Sequence, residues 1–501
     1  MGLVFFIFAL VNKLPMTPKH LTAILSVALV LSACTCGGSR TPAGKACSLE
    51  TSAKLTTVNT ASGPVAGYME DGVFTYKGIP YAKAERFMPP ADPEPWSEVR
   101  PSRAYGPTCP QDKRAGWWSD DQAFAMHWDD GFPDEDCLRV NVWTSGINDN
   151  AKRPVMVWLH GGGFRAGSGQ ELISYDGAAL ARDHGVVVVT LNHRLNVLGF
   201  LDLSAYGAKY AKSGNAGMLD IVKALEWVRD NIAAFGGDPS NVTIFGQSGG
   251  GGKVCTLMAM PSAKGLFGKA IVQSGSITEL ATTACSRRVG TYTVENLGLR
   301  ASGVDAIKDV PYDKLLEAYN KALERVRKEA QEDGTIPENF LSAILYGQVP
   351  VVDGDVIPSQ PDTPQALALS SDIPVIIGST YHEFTRDRED PIFRPLALRQ
   401  AENRTAAGCA PVYLYRFDWE SPVLDGALGS THCMELPFVF DNVYLHRTLT
   451  GGCPDDIELG HRISRLWSSF ASTGIPYAED MPDWEPYPAC LMLNTESKLE
   501  K

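Results

Sequence analysis

Short, largely β-branched apolar runs recur along the chain from about Ser48: Pro154–Leu159, Val186–Leu191, Val242–Phe245, Ala270–Val272 and Pro374–Ile377. Continuous runs of this length read as strands buried on both faces of a parallel sheet. Segments of helical spacing lie between them. In Ala224–Phe235, Leu225, Val228 and Ile232 recur at helical intervals, and Gly236-Gly237 stop the element. This alternation predicts an α/β fold, a mostly parallel central sheet flanked by helices. Val310–Gln331 is charged and helical in pattern, so it is expected in a helical insertion outside the sheet.

The N-terminus reads differently. Lys19 and His20 precede a mostly apolar stretch, Leu21–Ala33, which ends in Leu31-Ser32-Ala33-Cys34. A short basic region, an apolar core and small residues before a break predict a secretory signal over residues 1–33. The stretch is short for a membrane span. Met16 lies just upstream of it, which would make Met1–Pro15 a product of an early start codon. Leu-Ser-Ala-Cys resembles the lipobox of bacterial lipoproteins, which implies acylation of Cys34 and anchoring in the bacterial cell envelope. A plain signal peptide and a secreted soluble protein are the alternative. Residues 34–47, rich in Gly, Ser, Thr and Pro, read as a flexible tether, and 48–501 as the folded body.

Composition narrows the classes further. The 501 residues are 44% apolar and 21% charged, ordinary for a globular protein. Length alone favours about three domains. The net charge of −13 argues against a nucleic-acid partner. Eleven cysteines in an exported chain meet a compartment where disulfides persist; Cys34 would be used by lipid.

Two glycine-rich stretches carry chemistry. Gly246-Gln247-Ser248-Gly249-Gly250 follows the strand Val242–Phe245 directly. Gly-x-Ser-x-Gly at a strand end is the nucleophile elbow, a tight turn that lifts the Ser hydroxyl above the sheet and aims the next N–H, that of Gly249, at the same point. His160-Gly161-Gly162-Gly163-Phe164 ends the strand Pro154–Leu159. Acyl transfer passes through an oxyanion that needs preplaced donors, and consecutive glycines let bare N–H groups reach it.

With these stretches, Gly78-Ile79-Pro80-Tyr81-Ala82, Glu135-Asp136-Cys137-Leu138, Asn192-His193-Arg194, Gly214-Asn215-Ala216-Gly217, and Glu435-Leu436-Pro437-Phe438-Val439-Phe440, the chain resembles the type-B carboxylesterases, the family that also holds the cholinesterases. The matches run from about residue 55 to 490, so the resemblance implies one α/β-hydrolase fold with helical insertions rather than three domains. It implies hydrolysis of a small-molecule carboxylic ester through an acyl-enzyme, with no cofactor. Its triad falls on Ser248, Glu383 and His432, and its oxyanion hole on the N–H groups of Gly162, Gly163 and Gly249. The chemistry asks for these types: His takes the Ser proton while the carboxylate holds the imidazole. His382 is the rival base, and Asp387 or Glu389 the rival acid. The resemblance also pairs Cys109 with Cys137, a bridge closing a loop of about 29 residues and worth roughly 3–4 kcal/mol. It makes Arg194–Asp220 a structural buried pair. Cys255 reads as an inert core thiol.

The chain departs from the family in three places. Gln247 and Gly249 stand where Glu and Ala are usual, which disfavours cationic substrates. The usual Pro-Pro-x-Gly after Gly78–Ala82 is missing, and Lys83–Phe87 runs straight on. Glu383 and His432 lie only 49 positions apart, which predicts a site more open, or less intact, than the family's. A competing class is a catalytically impaired, cholinesterase-like surface-binding protein, against which stand the retained Ser, Glu, His and oxyanion loop. No His-Glu-x-x-His or Cys-x-x-Cys pair suggests a metal, and Leu172 breaks the dinucleotide pattern begun by Gly167-Ser168-Gly169. The pattern leaves the natural ester and the oligomeric state open.

Overall fold

Twelve strands make one sheet: β1 (Leu49–Glu50), β2 (Tyr68–Glu70), β3 (Val73–Pro80), β4 (Arg139–Thr144), β5 (Arg153–Leu159), β6 (Val187–Leu191), β7 (Gly237–Gln247), β8 (Lys269–Gln273), β9 (Val375–Thr380), β10 (Val412–Phe417), β11 (Cys490–Leu493) and β12 (Lys498–Glu500). Their spatial order is β1-β2-β3-β4-β6-β5-β7-β8-β9-β10-β11-β12. From β6 through β11 every neighbouring pair is parallel; the outer pairs are antiparallel. The computed structural model describes residues 49–112, 119–129, 131–337 and 340–501. The expected signal segment, Cys34 and the tether lie outside the described residues.

The apolar runs form the sheet because both of its faces are covered. Along β5, Val155, Val157 and Leu159 point into one core layer, and Met156 and Trp158 into the other. Helix α1 (Ala216–Asn231) covers the first face with Ile221, Leu225 and Val228. Helix α4 (Pro454–Thr473) covers the second with Ile463, Leu466, Trp467 and Phe470. Each such side chain, fully buried, contributes roughly 1.5–3 kcal/mol. Trp158 meets Tyr175, Phe245 and Phe440 at 4.9, 4.9 and 5.1 Å between ring centres. The charged middle region forms α3 (Tyr312–Glu332), whose Leu315, Tyr319, Leu323 and Val326 are buried while its polar face stays outside.

One register decides where the chemistry sits. Leu159, the last residue of β5, pairs with Gly246 near the end of β7. The loops that follow, from His160 and from Ser248, therefore leave the same end of adjacent parallel strands. Carboxyl ends of strands, where the strand order reverses, are where α/β sheets place ligands.

Candidate active site

The elbow is built by close packing. Ser248 links β7 to α2 (Gly249–Met258) with φ 57° and ψ −125°, a conformation that costs a non-glycine residue about 1–3 kcal/mol. A Cβ on Gly250 would stand 1.9 Å from the Leu159 carbonyl oxygen, and one on Gly246 2.6 Å from the Gly250 backbone. Both flanking positions must be glycine for this reason. The Ser248 N–H donates to the Gln273 carbonyl at 2.8 Å, tying the turn to β8. Its side chain faces a cavity of ≈ 470 Å³.

The glycine-rich loop expected to receive the oxyanion packs directly on the elbow. Gly162 and Gly163 take φ +85° and +58°, and a Cβ on Gly162 would lie 2.1 Å from the Ala166 carbonyl oxygen. A Cβ on Gly249 would lie 2.6 Å from the Gly163 nitrogen. The three residues expected to form the hole are thus in contact, and the glycine at 249 is what allows it. Asn196 anchors the loop, its N–H donating to the Phe164 carbonyl at 2.9 Å and its amide to the Arg165 carbonyl at 3.2 Å.

Glu383 and His432 come together despite the short segment between them. The His432 N–H donates to the Glu383 carbonyl at 3.0 Å, as does the Thr431 hydroxyl at 3.0 Å. The Glu383 carboxylate accepts from the Thr380 N–H at 2.8 Å and, through its other oxygen, bonds His432 Nδ1. Glu383 is fully buried, and His432 packs against Phe384 and Phe393, with ring centres at 4.5 and 5.2 Å. The Gln247 amide nitrogen lies 3.1 Å from His432 Nε2 and 3.4 Å from Nδ1. A donor on the in-plane Nε2 lone pair would be much farther from Nδ1, so Gln247 lies over the ring face. Among the described residues Ser248 Oγ makes no hydrogen bond, and the in-plane edge of Nε2 is not taken by Gln247.

The rival residues are placed elsewhere. His382 Nδ1 accepts the Ser430 N–H at 3.0 Å. Glu389 is exposed and pairs with Arg416 at 2.7 Å, and Asp387 is exposed. Arg194 and Asp220 form a buried two-pronged pair at 2.6 and 2.8 Å. Arg194 also donates to the carbonyls of Glu85 and Met88 at 3.0 and 2.8 Å, so it pins the segment that departs from the family. Cys109 and Cys137 are buried thiols within hydrogen-bonding reach of each other, and that contact and burial raise the Cys137 thiol well above its ordinary value. Cys255 is buried and accepts from the Gln400 amide at 3.2 Å; burial pushes its thiol up to about 12.

Three buried titratable groups at or beside the site escaped the sequence pattern. Lys253, in the first turns of α2, is fully buried and donates to the His160 and Gly161 carbonyls at 2.8 and 3.4 Å. Glu171 lines the cavity, accepts the Tyr175 hydroxyl at 3.1 Å and the Ser168 N–H, and is pushed up to about 8 by burial. Glu435, three residues after His432 and at the N-cap position of the short helix Leu436–Val439, accepts from Gln273 at 3.1 Å and is raised to about 7 by burial and then by Glu383. The one signal for Lys253 was its place, the single charged residue of the glycine-rich run Gly249–Met258. Apolar side chains, among them Leu172, Leu316, Leu345, Ile392 and Phe393, wall the cavity, with Arg165 and Gln348 as polar points. Among the described residues no group of three or more His, Cys, Asp or Glu could hold a metal, and no helix is long and apolar enough to cross a membrane.

A mostly parallel sheet that presents an elbow serine beside a glycine-rich donor loop and a His–Glu pair defines a serine ester hydrolase of the α/β-hydrolase fold. The chain belongs to the carboxylesterase family, whose model matches residues 54–390 and 389–500, and its activity is hydrolysis of carboxylic esters. It is 36% identical to the para-nitrobenzyl esterase of Bacillus subtilis over 86% of this chain and 92% of that protein. It is 30% identical to the phenmedipham hydrolase of Pseudarthrobacter oxydans, over 87% and 95%. Among solved structures it resembles an esterase from Clostridium hathewayi that can hydrolyse aliphatic aromatic polyesters, with a TM-score of 0.80 and 32% identity over 91% of this chain and 97% of that one.

Proposed function

We propose that ester cleavage runs through Ser248, with His432 as base and Glu383 as its orienting acid. His432 Nε2 takes the hydroxyl proton as Oγ attacks the ester carbonyl. The N–H groups of Gly162, Gly163 and Gly249 receive the oxyanion, and the intermediate collapses to an acyl-enzyme as His432 returns the proton to the leaving alcohol. Water then repeats the sequence and frees the acid. Glu383 keeps the imidazole in the Nδ1–H tautomer and stabilises its cation. The observation that carries this reading is the Glu383–His432 bond formed at the cavity that Ser248 also lines. The surface-binding alternative has no such observation in its favour.

The apolar walls favour esters whose acyl or alcohol part is itself apolar, aryl groups included. The Bacillus relative, named for para-nitrobenzyl esters, and the Clostridium esterase, which can hydrolyse aliphatic aromatic polyesters, point the same way. The anchor and the bridge belong to the same proposal. Acylated Cys34 holds the enzyme at the envelope, supported by Leu31-Ser32-Ala33-Cys34. Cys109 and Cys137, already side by side, close their disulfide on export. The deciding experiment is a burst assay with a para-nitrophenyl ester and labelling by an organophosphate. Ser248→Ala should abolish both, with turnover falling by at least ~10⁴; a label on another serine in the variant would reject the assignment.

A further inference from the structure

Lys253 is fully buried, and among the described residues no carboxylate pairs with it. Burying a charge is expensive unless something compensates. The partners it has are peptide carbonyls, His160 at 2.8 Å and Gly161 at 3.4 Å. The Gly161 carbonyl also meets the Nδ1–H of His160 at 3.0 Å. That carbonyl belongs to the same peptide unit as the Gly162 N–H. Donors on a peptide oxygen draw electron density away from its nitrogen and make the N–H a stronger donor, and in a dry site the effect is not screened.

We propose that Lys253 is a positioning residue of the oxyanion hole: its ammonium pins the His160–Gly163 loop from behind and polarises the peptide that presents the Gly162 N–H. The inference rests on Ser248 catalysis as proposed above. The surroundings fit it. Phe164 lies 5.8 Å from the ammonium, which suits a cation over a ring face. His160 and His193 are held well below the ordinary histidine value, by burial first and then by Lys253, so neither ring adds a competing charge. Burial pushes Lys253 itself down to about 7, so the ammonium held by the two loop carbonyls is the form present at and below neutral pH. A charge placed behind the hole acts on the tetrahedral oxyanion far more than on the neutral ester, so it favours the transition state over the bound substrate.

The test is Lys253→Met, which keeps length and apolar volume and removes charge and donor. kcat for a para-nitrophenyl ester should fall by ~10-fold or more, with KM changed less than about threefold, because only transition-state stabilisation is lost. Affinity for a trifluoromethyl ketone, which forms an oxyanion on the serine, should fall in parallel. Affinity for the matching methyl ketone, which forms none, should hold. A kcat within twofold of the parent, or equal loss for both ketones, would overturn the proposal, the second because a collapsed pocket weakens every ligand. If the methionine variant does not fold, Lys253→Gln supplies the same readings; failure of both to fold would make the ammonium a structural prop and overturn it too. Ser248→Ala separates this inference from its premise. If that variant keeps the burst, the site reading falls; if it loses the burst while Lys253→Met keeps kcat, only the role of Lys253 falls.

Discussion

Gly249→Ala restores the residue most of the family carries, and the structure predicts that it harms this enzyme. The new Cβ would stand 2.6 Å from the Gly163 nitrogen and 2.9 Å from its Cα. Both are backbone atoms that cannot swing aside, so the loop must retreat by most of an ångström to reach ordinary contact. Two effects on stability oppose each other. Alanine at the start of α2 gains roughly 0.5–1 kcal/mol over glycine in helix propensity. Overpacking costs typically about 1–3 kcal/mol, so the net is a loss of about 1 kcal/mol. The effect on rate is larger, since a donor displaced by about 1 Å costs on the order of 10²-fold. kcat for a para-nitrophenyl ester should therefore drop ~10–10²-fold, with KM nearly constant and the thermal midpoint lowered by a few degrees at most. Steady-state kinetics and a melting curve on purified protein decide it. A variant with the parent kcat would refute the close packing of Gly249 against Gly163 and the donor role built on it.

Other outcomes follow from the same geometry. His432→Gln should remove nearly all activity, whereas His382→Gln, which changes a ring whose Nδ1 accepts the Ser430 N–H, should leave kcat within severalfold; the reverse order in rate assays would place the base wrongly. Glu435 has its folded value raised from 4.5 to about 7, so the native state binds its proton more tightly than the unfolded chain does. Its contribution to stability is whole below about 4.5 and is lost as pH rises through about 7. Glu435→Gln should therefore gain on the parent by up to about 3 kcal/mol between pH 5 and 8 in denaturant unfolding; parallel pH curves would contradict it. Cys34→Ala should leave uncleaved or mislocalised protein, while parent protein should begin at an acylated Cys34 by mass spectrometry; an unmodified N-terminus elsewhere would exclude the anchor.

The elbow and the glycine-rich loop beside it were legible in the sequence because their demands are local. A turn that admits no Cβ needs glycine at that place whatever surrounds it, and a strand buried on both faces needs a run of apolar residues. The long helical insertion was legible for the same reason, through its charge and spacing. The proposed triad partners, Glu383 and His432, were reached through family resemblance, and the chain left Asp387, Glu389 and His382 as rivals. Tertiary structure sets them in different surroundings: Glu383 is buried against His432, while Glu389 faces Arg416 at the surface. It also placed Gly246 opposite Leu159, which brings the two glycine loops together. Lys253, Glu171 and Glu435 gave almost no sign in the sequence. A charged residue reads as solvated until distant segments bury it, because the cost of desolvation and the partners that offset it arise from neighbours that only folding brings within a few ångströms.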